Sequence, residues 1–208
     1  MPYRDVQARL RTALTTVILD EYSLLETVQV PITASERVIG HQLAWRLRSE
    51  YSRAWDVDME YNPLGHAAEP GGAGEPVDIS IHHRGMRGHE HNRTVIRFRT
   101  RLHDEFEREL ADLQAVKDRY DYEHACLLDL RLNMGSKPDD PPVLVAPQWV
   151  WLPGQEKMED IFTRQAARQL AVDGWEARQR RYRGFDDQDI VYDGWRQRTP
   201  EEQAAAQG

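Results

Sequence analysis

The chain has 208 residues, of which 40% are hydrophobic and 30% are charged, and its formal net charge is −8 at pH 7. These values are typical of a charge-rich globular protein and argue against a polybasic nucleic-acid-binding chain. No apolar run approaches the roughly 20 residues that span a bilayer, and the opening residues lack the apolar core of a signal peptide. We therefore expect a cytoplasmic protein with no membrane partner. Cys126 is the single cysteine, which excludes an internal disulfide and a cysteine-rich zinc site.

Hydrophobic periodicity predicts two helices at the start of the chain. Apolar residues recur at spacings of three, four and seven over 3–26. A second helix is expected from about residue 35 to residue 51, where Thr33 and Glu36 have the spacing of a capping box.

Alternation of apolar and polar residues then predicts three strands, of which the last two form a hairpin. The strands are expected within 57–61, 77–83 and 92–99, followed by a helix over 104–119, a buried strand over 124–132, an extended segment over 143–152 and a long helix over 155–182. This order predicts an α/β fold with a mixed central sheet flanked by helices and a C-terminal helical extension. We place a domain over 1–152 and a C-terminal helix and tail over 153–208.

The third strand, NRTVIRFR, carries a row of basic side chains. Arg97, Arg99 and the following Arg101 point to one side, whereas Ile96 and Phe98 point to the other. The same stretch contains four histidines, His82, His83, His89 and His91. Their spacing matches no standard zinc site, so we expect no metal there. Arginine suits phosphate contacts, and the stretch is a local basic patch on an acidic protein.

Five short motifs, in this order, resemble the PD-(D/E)XK nuclease superfamily, and in particular a branch of small bacterial proteins. The motifs are SERVIGHQLAWRL, VDMEYN, PVDISIHHRG, NRTVIRFR and RYDYEHACLLDL, and the resemblance covers about residues 1–132. It implies a restriction-endonuclease-like fold and the position of a metal-dependent nuclease site.

The resemblance also implies that this site is degenerate. Active members carry Glu-x-Lys on the third strand, but here Arg97 stands at the position of the metal-binding Glu and Arg99 at that of the Lys. Asp78 retains the position of the first metal ligand. Two unit charges at 4 Å interact by about 4 kcal/mol at an effective dielectric near 20, so exchanging a carboxylate for a guanidinium opposes metal binding. We therefore expect no catalytic residue, no metal and no cofactor, with Asp78, Arg97 and Arg99 as vestigial positions.

Three functions remain open at this point. The first is a non-catalytic protein that binds DNA, RNA or a protein partner through the former active-site face, with Arg97, Arg99 and Arg101 as phosphate-binding candidates. The second is an active nuclease that needs Mg²⁺ and has a relocated acid, using Asp78, Glu60 and Glu36. The third is a structural interaction module whose C-terminal helix binds a protein partner or a second copy of the chain.

Each acid also has a purely structural interpretation. Asp78 is expected to form an ion pair with Arg97 or Arg99, Glu36 to cap its own helix, and Glu60 to pair with an arginine.

Overall fold

The computed structural model describes residues 3–21, 33–51, 54–61, 77–86, 88–99, 106–130, 147–154 and 157–182. Its helices are α1 (Tyr3–Asp20), α2 (Thr33–Tyr51), α3 (Phe106–Arg119) and α4 (Arg164–Tyr182). Its strands are β1 (Asp56–Tyr61), β2 (Val77–His82), β3 (Asn92–Arg99), β4 (His124–Asp129), β5 (Gln148–Leu152) and β6 (Glu159–Asp160). The predicted order of elements is confirmed, with β6 as an addition. No helix in these described ranges is both long enough and apolar enough to cross a bilayer.

The strands form one mixed sheet in the order β1-β2-β3-β4-β5-β6. The first three strands pair antiparallel, β3 and β4 pair parallel, and β4, β5 and β6 pair antiparallel. A parallel pair needs a crossover connection, and α3 lies in the connection between β3 and β4. The prediction of an α/β protein with a mixed sheet and flanking helices is therefore confirmed.

Each face of the sheet carries its own apolar core. The first core joins the sheet to α1, α2 and α4, and it includes Ile96 and Phe98 of β3. The second core joins the sheet to α3, and it includes Val95 of β3. The predicted alternation along β3 is thus confirmed, and it places Arg97 and Arg99 on the face that α3 partly covers.

Gly40 on α2 faces the ring of Phe98 on β3. A Cβ atom added at Gly40 would lie 2.3 Å from Cζ of Phe98 and 3.1 Å from Cε of Met59. The glycine therefore leaves room for the Phe98 ring between the helix and the sheet.

The C-terminal helix begins later than the predicted residue 155. Thr163 caps it, because the Thr163 hydroxyl oxygen accepts a hydrogen bond from the N–H of Ala166 at 3.2 Å. Among the side chains of this helix that the structure describes, Ala167 and Ala171 are buried, at only 1% and 2% exposed, whereas Ala166 is exposed. The sequence predicts an apolar stripe through Phe162, Ala166, Leu170 and Trp175. This prediction is wrong at Ala166, which is exposed, whereas the other three residues pack against the first core.

The chain divides into two units, Met1–Arg178 and Gln179–Gly208. The sheet, both cores and the contacts described below belong to the first unit.

Candidate functional site

Asp78 and Arg97 are neighbours on adjacent antiparallel strands. The β2–β3 register pairs Ile79 with Ile96, which puts Asp78 beside Arg97 one step further along the two strands. Cross-strand neighbours share a face of the sheet, so both side chains belong to the α3 face. Oδ2 of Asp78 accepts a hydrogen bond from the backbone N–H of Phe98 at 2.8 Å. Asp78 therefore has a structural role, because it satisfies a backbone donor of β3.

Arg99 is held between two carboxylates. Its guanidinium lies 3.1 Å from Oδ2 of Asp129 and 3.0 Å from Oε2 of Glu109, and it lies over the Phe106 ring at 5.2 Å. Arg99 is 11% exposed and Asp129 only 1% exposed. Arg99 thus ties β3 to β4 and α3, with its positive charge balanced by acids.

The counter-ions of Arg99 were not predicted from the sequence. Arg99 takes them from Asp129 and Glu109 rather than from Asp78. The sequence contains a weak signal for Asp129 as a partner of Arg99, because this acid ends a strand that is otherwise apolar apart from His124. An acid beside a basic residue of the adjacent strand is a common cross-strand pair. The ion pair of Asp78 with Arg97, which the strand register allows, stays a prediction.

Arg97 differs from Arg99 in its surroundings. Its side chain is partly exposed, and it lies beside Leu127 in the parallel register of β3 and β4. Arg101 lies outside the described residues. Among the three phosphate-binding candidates, the structure describes Arg97 and Arg99. Arg99 shares its charge with two buried or half-buried acids, so Arg97 is the better candidate of the two.

The two accessory acids do not join Asp78 in a described metal site. Glu60 lies beside Asp78 in the strand register, but its carboxylate accepts hydrogen bonds from Arg37 of α2 at 2.6 and 3.0 Å. This contact with Arg37 lowers the pKa of the Glu60 carboxyl, and the predicted pairing of Glu60 with an arginine is confirmed. The side chain of Glu36 lies outside the described part of the chain. Within the described residues, no group of three or more His, Cys, Asp or Glu side chains could hold a metal ion.

A second polar cluster lies on the same face, at the edge of the sheet. Nε2 of His82 lies 2.9 Å from Oδ2 of Asp58, and Nε of Arg84 lies 3.0 Å from the same oxygen. Burial raises the pKa of the Asp58 carboxyl, but the hydrogen bonds from Arg84 and His82 together outweigh burial, so the pKa is lowered. Asp58 is therefore held as a carboxylate by two basic partners.

The four histidines that are close in sequence are separated in the fold. His82 is 1% exposed and bonded to Asp58, whereas His89 is 82% exposed beside Glu90. His83 and His91 contact each other through their rings. The histidines therefore form three different environments instead of one cluster.

Comparison with known proteins finds no family model, no curated protein and no solved structure that matches this chain. The resemblance to the nuclease superfamily rests on the sequence motifs alone.

Proposed function

We propose that this chain is a catalytically inactive protein of the restriction-endonuclease-like fold that binds nucleic acid through the sheet face carrying Asp78 and Arg97. The order α2, β1, β2, β3, α3, β4 supports the proposal, since the resemblance implies the same order of elements. The support is strongest for the absence of catalysis. It comes from the chemistry of Asp78, Arg97 and Arg99.

The observation that carries the proposal is the environment of Arg99. Its guanidinium is 11% exposed and contacts Asp129 and Glu109, so it supports the packing of β3, β4 and α3. An arginine is almost never a proton acceptor, because its pKa lies above about 12. A water molecule at this position would therefore lack the base that the lysine of an active site supplies.

The position of Arg97 supports phosphate binding in place of metal binding. Arg97 lies beside Asp78 in the strand register, so we expect its positive charge to offset the negative charge of the acid and to oppose a divalent cation. Its planar donors fit a phosphate oxygen pair, and such contacts require no base sequence. The acidic net charge of −8 predicts that binding is weak. Contacts between arginine and phosphate weaken as the salt concentration rises.

The experiment is a binding titration of the full chain against fluorescently labelled DNA and RNA, single- and double-stranded, followed by anisotropy at 50 and 200 mM salt. We expect binding that weakens at the higher salt, and a weaker affinity for Arg97→Gln, whose salt slope falls by about one. Arg168→Gln is the matched control, because Arg168 is an exposed arginine of α4. Equal binding by both variants, or no binding by the wild type, contradicts the proposal and favours a protein-interaction module.

A cleavage assay with Mg²⁺ or Mn²⁺ separates the inactive protein from an active nuclease. We expect no cleavage of either nucleic acid. Metal-dependent cleavage that disappears in Asp78→Asn, with an unchanged circular dichroism spectrum, would mean that the acids have rearranged into a working site.

A further inference from the structure

His83 and His91 close the loop between β2 and β3. The backbone N–H of His83 donates to the carbonyl oxygen of His91 at 2.7 Å, and the Nδ1 atoms of the two rings lie 3.1 Å apart. The two side chains therefore form a ring-to-ring contact at the base of the loop over 84–90.

The neighbours of the pair determine where its protons lie. Nε2 of His83 lies 2.8 Å from the carbonyl oxygen of Ala54. A carbonyl oxygen only accepts hydrogen bonds, so this nitrogen carries hydrogen and Nδ1 of a neutral His83 is an acceptor. Nδ1 of His91 is then the donor in the contact between the rings. The bond from His83 to Ala54 also joins the β2–β3 loop to the segment that precedes β1.

The geometry of the pair offers a place for one additional proton without a clash between N–H groups, but not for two. Nε2 of His91 lies 3.7 Å from Oε1 of Glu90, so a proton there faces a carboxylate and leaves the ring-to-ring bond intact. The pKa of the Glu90 carboxyl is lowered, first by the hydrogen bond from its own backbone N–H and then by the charges of His91 and His89. A further proton on Nδ1 of His83 would instead place two N–H groups head to head at 3.1 Å.

The packing around His83 leaves little freedom to relieve that contact. Its ring stacks on Trp55 with centroids 4.0 Å apart and an interplanar angle of 13°, and Arg93 lies over the same Trp55 ring at 5.4 Å. Several titratable and charged groups lie near the pair, either beside it or beside the residues that contact it. They are Asp56 on β1, Arg84, His89 and Glu90 in the loop, Arg93 on β3, Asp5 on α1 and Glu123 before β4. The acids that contact Arg93, which are Asp5 and Glu123 at 3.8 Å each, do not contact His83 in the described structure.

We propose that His83 and His91 form a pH-sensitive latch, which is closed when the pair carries at most one positive charge and opens when both rings are protonated. Opening breaks the ring-to-ring contact at the base of the β2–β3 loop, whereas Nε2–H of a protonated His83 can still donate to the carbonyl oxygen of Ala54. The proposal does not depend on nucleic-acid binding, and it goes beyond the proposed function.

The direction of the pH effect follows from counting protons. In the unfolded chain the two histidines bind one proton each below about pH 6.5, whereas the closed latch binds one in total. The unfolded state therefore binds more protons, and stability falls as the pH decreases through this range.

The test compares the wild type with His91→Asn and His89→Asn in urea unfolding between pH 7.5 and 5.0. The amide nitrogen of Asn stands near the position of Nδ1 and donates without titrating, and the amide can turn its oxygen toward a protonated His83. As the pH decreases, we expect the folding equilibrium constants of the wild type and of His89→Asn to fall more steeply than that of His91→Asn. The difference between these slopes should reach about tenfold per pH unit. His89 is the matched control because it is 82% exposed and contacts only Glu90 among the described residues.

Nitrogen NMR of the histidine rings tests the latch in the wild type without any variant. We expect His83 to carry its proton on Nε2 at pH 7.5 and to gain a second one only together with faster amide exchange over 83–91. Three results overturn the proposal: parallel stability curves for all three proteins, an Nδ1–H tautomer of His83, or stabilisation of the wild type but not of His91→Asn by Zn²⁺. The last result would make the pair a metal site.

Discussion

The guanidinium of Arg99 lies 3.1 Å from the carboxylate of Asp129, its neighbour on the parallel strand β4. Asp129 is only 1% exposed, so this ion pair lies almost entirely inside the protein. Glu109 of α3 completes the contact from above the sheet at 3.0 Å. The crossover helix and the two parallel strands are therefore joined by one arginine.

Asp129→Ala should lower the free energy of unfolding by about 3–5 kcal/mol, because it leaves the largely buried guanidinium with a single half-buried partner. Urea denaturation at pH 7 measures the change. Asp118→Ala is the control, since Asp118 is an exposed acid of α3, and its effect should stay within about 0.5 kcal/mol. Similar losses for both variants would show that the ion pair does not stabilise the fold.

Asp78→Ala should lower the free energy of unfolding by about 1–3 kcal/mol, because the backbone N–H of Phe98 loses its acceptor. Asp78→Asn should cost less, since the amide oxygen can still accept this bond. Urea denaturation and amide exchange at Phe98 measure the two effects. If the two variants lose the same stability, the charge of Asp78 and not this hydrogen bond is what matters.

Gly40→Ala should destabilise the protein despite the higher helix propensity of alanine. The new Cβ would lie 2.3 Å from the Phe98 ring, and such overpacking typically costs about 1–3 kcal/mol, against a propensity gain of about 1 kcal/mol. Thermal unfolding measures the net change. In a Phe98→Leu background the same substitution should be neutral or stabilising, and a loss in both backgrounds would exclude the contact with Phe98 as the cause.

Asp58 should contribute to the acid sensitivity of the fold. Its pKa is lower in the folded protein than in the unfolded chain. The stabilisation it provides is therefore complete above the unfolded value of about 4 and is lost as the pH falls through the lower folded value. Asp58→Asn should lower stability at pH 7 more than at pH 3, as measured by urea midpoints. Asp112→Asn, at an exposed acid of α3, serves as the control and should show no such difference.

The elements of this fold could be predicted because their signals are local. Val95 and Ile96 alternate between the two faces of β3, and Leu113 and Val116 recur at helical spacing on α3. The start of α4 was misplaced, because many charged residues over 155–163 suit a helix as well as a turn. The Thr163 side chain caps the first turn, and packing against the first core buries Ala167 and Ala171.

The candidate site was predicted in part. The sequence alone determined which positions of β2 and β3 share a face, because side chains alternate strictly along a strand. Only the tertiary structure decided which charges meet. The partners of Arg99 are 10 and 30 residues away in the chain, and the contact between His83 and His91 depends on how the β2–β3 loop closes. These contacts depend on strand register and on the placement of α3, and both are set by long-range packing that a local sequence pattern does not contain.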